Sequence, residues 1–321
     1  MRSISVVAAF TSAAAVTAAQ SLSPVPSSFP ADAAAYCSAF SASEAGSGTT
    51  VTVTATEYTT QCPTATATAT SVAAPSVPAS YLAGFHNAKT GYSVDGSAIC
   101  ITGDIPVTIS TQGIQLNLPE PANQTATTEI IVELLQANAT LPMQIMGGKS
   151  SIAGTFSINA ELCYPKGSAL NASFIEILTH GVGFDKSYWN FAPGYSYVDA
   201  AAKAGHATFF YDRLGVGLSD HPDPINVVQA MPEIAIVHEL TAMLRAGGMA
   251  STKFASVVGV GHSLGSIITL GQTSLYPKDI DAAVLTGFAT AESGITAFMS
   301  ALNLAIAAQN QPDRFGSLPN G

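Results

Sequence analysis

Charge is scarce in this sequence: Asp, Glu, Lys and Arg together make up 10% of its 321 residues. Basic residues are the scarcer kind, 11 against 21 acidic ones, and the formal net charge is -10. No cluster of Lys or Arg occurs anywhere, so a surface that tracks phosphates has no source of charge and nucleic acid is a poor match as partner. Long apolar runs are also missing beyond the first twenty residues, and no stable insertion in a bilayer is expected. Cysteine is limited to four residues, with no C-x-x-C and no His-adjacent pair. That removes the ligand spacing of a metal site, and nothing else in the chain calls for a cofactor.

What is present is apolar and small. Hydrophobic residues make up 47% of the chain, enough for the core of one large domain with appendages. The chain opens on one positive charge at Arg2, an apolar run through Val16 and small residues around Ala18 and Ala19. This layout reads as a signal peptide over residues 1–19, hence a secreted protein, with an N-terminal membrane anchor as the alternative. Residues 20–80 are dominated by Ser, Thr, Pro and Ala and read as a linker, since such composition buries too little apolar area to offset chain entropy. Its Val/Thr alternation near Thr50–Thr56 leaves a short strand open as an alternative. The even number of cysteines implies two disulfides, and sequence leaves three pairings open. The expected pairing is Cys100 with Cys163 and Cys37 with Cys62. Sequons at Asn123, Asn138 and Asn171 suit the same secreted compartment.

From Tyr81 onward the pattern is that of an ordered domain, residues 81–321. Alternation predicts strands over Ile105–Ser110 and Ile152–Leu162, and Glu129–Gln136 fits either a helix or a strand. Strand and helix then alternate, the signature of a parallel sheet with helices on both faces. Strands are expected over Phe174–Leu178, Ala207–Tyr211, Phe254–Val260 and Ala282–Leu285. Helices are expected over Tyr197–Ala204, Asn226–Ala246 and Leu264–Tyr276, the second ended by Gly247-Gly248. A helical, lid-like cap region starts near residue 290 and includes Ile295–Ala308.

Three loops at the ends of these strands carry chemistry. Gly261-His262-Ser263-Leu264-Gly265 joins an apolar strand to a helix, a geometry that strains the turn and lifts the Ser263 hydroxyl above the sheet. The glycines at 261 and 265 are needed because a side chain there would strike the neighbouring strand or helix. Thr179-His180-Gly181-Val182-Gly183 follows an earlier strand, and such a loop aims backbone N–H groups at a developing oxyanion. Val182 and Leu264 are the expected donors, with His180 and Gly181 supporting the loop rather than acting on substrate. Tyr211-Asp212-Arg213-Leu214-Gly215-Val216-Gly217 lacks the third glycine and the helix start of a dinucleotide site, so Asp212 and Arg213 are read as loop anchors.

In this order the three motifs resemble the α/β-hydrolase superfamily, and the leader and the Tyr211-Asp212-Arg213 segment resemble secreted fungal members of it. The resemblance covers about Phe156 to Ala289. It implies an α/β-hydrolase fold, Ser263 as nucleophile, Val182 and Leu264 as oxyanion donors, and a small-molecule or lipid-like ester substrate. The departure from the pattern lies downstream, where the resemblance implies an acid and then a histidine. The six histidines are His86, His180, His206, His221, His238 and His262, and none follows Ser263. Acid candidates after the serine are Asp279, Asp281, Glu292 and Asp313. The domain is therefore expected to be C-terminally incomplete, truncated before its last strands. Two readings follow: a serine hydrolase lacking its base in this form, or a non-catalytic secreted protein that binds a ligand or wall polymer. An epoxide-opening enzyme shares the fold but usually needs a carboxylate where Ser263 stands. The oligomeric state is not legible.

Overall fold

The computed structural model describes residues 5–8, 73–136, 138–290 and 304–318. The pair Cys37–Cys62, the candidate Glu292 and most of the leader, linker and expected cap helix lie outside these residues. Among these residues ten strands run in chain order: β1 (Ser5–Ala8), β2 (His86–Tyr92), β3 (Ala98–Leu116), β4 (Met146–Pro165), β5 (Phe174–Thr179), β6 (Asn190–Ala192), β7 (Tyr195–Ser196), β8 (Ala207–Tyr211), β9 (Ser256–His262) and β10 (Ala282–Thr286). All but the β6–β7 ribbon form one sheet in the order β1-β10-β9-β5-β8-β4-β3-β2. Pairs from β1 to β8 are parallel, and those from β8 to β2 antiparallel. Within the stretch read as a signal peptide, Ser5–Ala8 thus lies along the outer edge of β10.

Among the described residues seven α-helices accompany the strands: α1 (Gln124–Leu134), α2 (Leu141–Ile145), α3 (Tyr197–Lys203), α4 (Ala230–Ala246), α5 (Leu264–Leu275), α6 (Ala307–Asn310) and α7 (Pro312–Phe315). No helix among the described residues is long and apolar enough to cross a membrane. Strand alternation divides the core in two. Ile177 and Phe209 face one side of the sheet with Ile234, Leu240 and Leu244 of α4 and Ile268 of α5. Leu178 and Phe210 face the other, with Trp189 and with Val198 and Ala202 of α3. Each fully buried Ile, Leu or Phe contributes roughly 1.5–3 kcal/mol.

Several boundaries differ from those legible in sequence. Strands β3 and β4 run far past the alternating apolar windows, because each supplies the other's hydrogen bonds from Ala98–Pro165 out to Leu116–Met146. β4 pairs with β8 only over Ala160–Cys163, so most of this hairpin projects beyond the rest of the sheet. The ambiguous Glu129–Gln136 segment is mostly helix α1, capped by Asn123, which accepts from Ala126 N–H. α4 begins at Ala230 rather than Asn226, because side chains ahead of it serve β3 instead. Asn226 Oδ1 accepts from Leu116 N–H at 2.9 Å, and Gln229 both accepts from Ile114 N–H and donates to Ile114 O. Its end is as expected, at Gly247 with φ 82°. β9 starts later and reaches His262, held there by the pairing of His262 with Thr286.

Cys100 and Cys163 sit directly opposite in the β3–β4 register and form a disulfide. The three sequon asparagines, Asn123, Asn138 and Asn171, are exposed.

Candidate active site

β9 ends at His262 and α5 begins at Leu264, so Ser263 alone makes the turn, at φ 53° and ψ -116°. A non-glycine residue there is strained by about 1–3 kcal/mol and persists only where its surroundings hold it. Here Ser263 N–H donates to Thr286 O at 2.9 Å, and Ser263 O accepts from Ser266 N–H at 2.9 Å. The buried Ser266 hydroxyl also donates to Thr286 O. The flanking glycines are sterically required. A Cβ at Gly261 would lie 2.5 Å from Ser266 Cα, and one at Gly265 would strike the carbonyl oxygen of Thr179.

The loop after β5 lies against this turn, since a Cβ on Gly181 would come within 3.1 Å of Ser263 Cβ. Neither Val182 nor Leu264 spends its N–H in a hydrogen bond to another described residue. For Leu264 this follows from its place at the first position of a helix, where the N–H has no intrahelical acceptor.

His180 is fully buried and its two nitrogens are both engaged. Arg213 N–H donates to Nε2 at 3.1 Å, so Nε2 is the acceptor and Nδ1 carries the proton that it gives Gly181 O at 2.9 Å. Burial and the nearby Arg213 charge push its pKa down to about 4, so it is neutral at pH 7. It holds two loops together.

Asp212 and Arg213 are the anchors. Asp212 accepts from Lys186 N–H, Lys186 Nζ and Leu218 N–H. Arg213 makes a two-pronged contact with buried Glu233 at 2.7 Å, and donates to Gly181 O. Glu233 was not foreseen, because nothing in a helix sequence marks a carboxylate that will meet a loop arginine. Burial raises its pKa against the pull of Arg213.

The acid candidates do not gather at Ser263. Asp279 bonds His238 and Gln272, and Asp281 bonds Arg245 and the N–H of Val257, at the opposite end of β9. From Val257 to Ser263 is roughly 20 Å along the strand. Asp313 lies on α7.

No hydrogen bond among the described residues joins a histidine ring to the Ser263 hydroxyl. His206 bonds Glu176, His238 bonds Asp279, and the Nδ1 of His262 meets Thr286 Oγ1. His86 lies on β2, five strands across from β9, roughly 24 Å at 4.8 Å per strand. His221 follows Asp220, whose N–H bonds Ser157 of β4, three strands away.

A groove of about 800 Å³ opens beside His262 and Thr286. Its walls come from residues 183–197, a segment whose aromatic density sequence reading passed over, apart from Trp189. The signal was present, since residues 188, 189, 191, 195 and 197 are all aromatic. Among the described residues, Cys100, Glu161 and Cys163 are the one cluster with metal-like spacing. Its sulfurs are joined to each other, which leaves a single carboxylate as ligand.

Residues 177–319 match the model of the Alpha/beta hydrolase family. No curated protein matches the chain. Among solved structures it is similar to an epoxide hydrolase from Vigna radiata, at 19% identity and TM-score 0.32, over 40% of this chain and 34% of that one. It is similar to an α/β hydrolase from Novosphingobium aromaticivorans, at 20% identity and TM-score 0.30, over 40% and 39%. An N-formylmaleamic acid deformylase from Pseudomonas putida is similar at 17% identity and TM-score 0.29, over 40% and 42%. The chain spans well under half the length of each of these proteins. The family match falls on the parallel strands and on the turn at Ser263, so residues 177–319 are similar to the α/β-hydrolase family.

Proposed function

We propose that Ser263 is the nucleophile of a secreted serine hydrolase that cleaves an ester or related acyl bond of a small or lipid-like molecule. The observation that carries this reading is the strained turn of Ser263 between two glycines that only a hydrogen could fill. A binding protein has no need to hold a serine at that cost. Val182 and Leu264 are the two oxyanion donors in this reading, both N–H groups being uncommitted, with Leu264 next to Ser263 and Val182 next to Gly181, which packs on Ser263. Acyl transfer through a serine needs no cofactor.

The imidazole that takes the serine proton is, in this proposal, none of the six present here. His180 has its acceptor nitrogen filled by Arg213, His206 and His238 are held elsewhere, and His262 bonds Thr286 with no hydrogen bond to the Ser263 hydroxyl. Without a base the hydroxyl is a poor nucleophile at neutral pH. This same observation favours the second reading, a protein that kept the fold and binds a ligand without turning it over. The two separate on one assay, hydrolysis of a chromogenic butyrate ester by a longer form of the chain that supplies a downstream Asp and His. Turnover lost on Ser263→Ala supports the hydrolase. A folded long form without turnover supports the binding protein.

A further inference from the structure

The groove beside His262 is rich in aromatic side chains. Tyr188 stacks on the His262 ring at 4.8 Å, Trp189 meets Tyr188 edge-on at 5.0 Å, and Tyr197 meets Trp189 edge-on at 5.4 Å. Phe191 and Tyr195 are 59% and 78% exposed, so apolar ring surface stands open to solvent. Its volume of about 800 Å³ lies within the range of small-molecule sites. Flat rings pack on such walls face-to-edge or offset, and benefit beyond the area they bury.

Trp189 Nε1 is buried in the groove wall with no partner among the described residues, and the hydrogens around His262 can be traced. Tyr197 gives its hydroxyl proton to Glu176 at 2.5 Å. Thr286 gives its proton to Gly261 O at 2.9 Å. The Thr286 oxygen, 3.1 Å from His262 Nδ1, must then be the acceptor, so the proton of His262 sits on Nδ1. The Nε2 of His262 is left as a lone pair with no hydrogen bond among the described residues. Burial pushes the His262 pKa below the ordinary histidine value, which keeps that lone pair at neutral pH. The groove also carries Asp185, whose carboxyl stays below its ordinary pKa despite burial because Ser187 donates to it. Among the described residues no cationic side chain lines the groove.

From this accounting we infer that the groove takes a flat aromatic group bearing a hydrogen-bond donor, in the simplest case a phenolic hydroxyl placed on His262 Nε2. Rings without a donor leave the lone pair desolvated and unpaired, and anionic rings meet Asp185 with no countercharge. As the substrate class of the active site, hydroxylated aromatic esters, the inference rests on the hydrolase reading. As a binding preference it stands alone.

The experiment is therefore done in the Ser263→Ala form, where no acyl chemistry occurs. Trp189 is the only tryptophan in the sequence, and its emission reports occupancy of the groove. The probes are 4-propylphenol, its methyl ether and 4-propylbenzoate. The phenol is expected to bind roughly threefold to tenfold tighter than the ether, the worth of one hydrogen bond, with the benzoate weakest. His262→Phe should equalise phenol and ether, while His262→Gln, which retains an acceptor oxygen, keeps a preference for the phenol. Equal affinities in the parent, or a preference that survives His262→Phe, overturns the inference. So does the absence of binding by any probe, which would make the groove a face that other protein covers. Ester hydrolysis can fail with this preference intact, and the preference can fail with hydrolysis intact.

Discussion

Two histidines flank the strained serine, and their environments have opposite consequences. His180 is sealed, with Arg213 N–H on one nitrogen and Gly181 O on the other. His262, next in sequence to Ser263, uses one nitrogen on Thr286 and faces the aromatic groove with its ring. Both are neutral at pH 7 for the same reason, desolvation, yet only one keeps a lone pair for a ligand. Proximity to a serine says little about what a histidine does; the partners of its two nitrogens say it.

The sealed side should prove the costlier to disturb. The largest effect is expected from Glu233→Gln, which leaves Arg213 buried without its countercharge behind the His180 loop. Its cost is expected at roughly 3–5 kcal/mol in urea denaturation. His180→Ala loses two buried hydrogen bonds and leaves a void, and roughly 2–4 kcal/mol is expected. The pH dependence carries the same signature. The folded-state pKa of His180 lies below its unfolded value, so the unfolded chain binds the extra proton first. Stability should be full above 6.5 and fall as pH drops toward about 4, by ~3 kcal/mol from this group. His180→Asn should flatten that window, and an unchanged slope would show that other groups dominate it. Removing the disulfide with Cys100→Ala and Cys163→Ala should cost about 2–4 kcal/mol, read as a drop in Tm. The smallest effect is expected at the open side, where His262→Ala gives up one hydrogen bond worth about 1 kcal/mol. If His262→Ala proved as damaging as His180→Ala, the contrast between a sealed and an open histidine would fail.

Much of the parallel half of the molecule was legible in sequence. Strands 174–178, 207–211 and 282–285 and the helix from Leu264 are short, fully apolar or strongly periodic, and they depend little on partners. The turn at Ser263 was legible because glycine at 261 and 265 is a steric demand that sequence records directly. The antiparallel half was read short, since the outer arms of β3 and β4 are Ser, Thr and Gly positions stabilised by each other. Likewise the start of α4 depends on Asn226 and Gln229 reaching β3, a contact that separation of more than a hundred residues hides. In the site, Ser263, His180 and Gly181 were named from motif alone. Glu233, Thr286 and the polar wiring of His262 were not, because each acts through a partner distant in the chain. The acids Asp279 and Asp281 were proposed from order along the chain, and strand direction carries them to the wrong end of β9.

The central claim is that Ser263 is poised as a nucleophile and that no imidazole in these 321 residues activates it. It is tested most directly by the hydrolysis rate of a chromogenic butyrate ester by the folded 321-residue chain and by its Ser263→Ala variant. Loss of a triad member costs on the order of 10⁴–10⁶ in kcat, so the two rates should be indistinguishable and close to background. Turnover well above background that disappears in Ser263→Ala would show that a base for this serine exists within these residues, and would contradict the account.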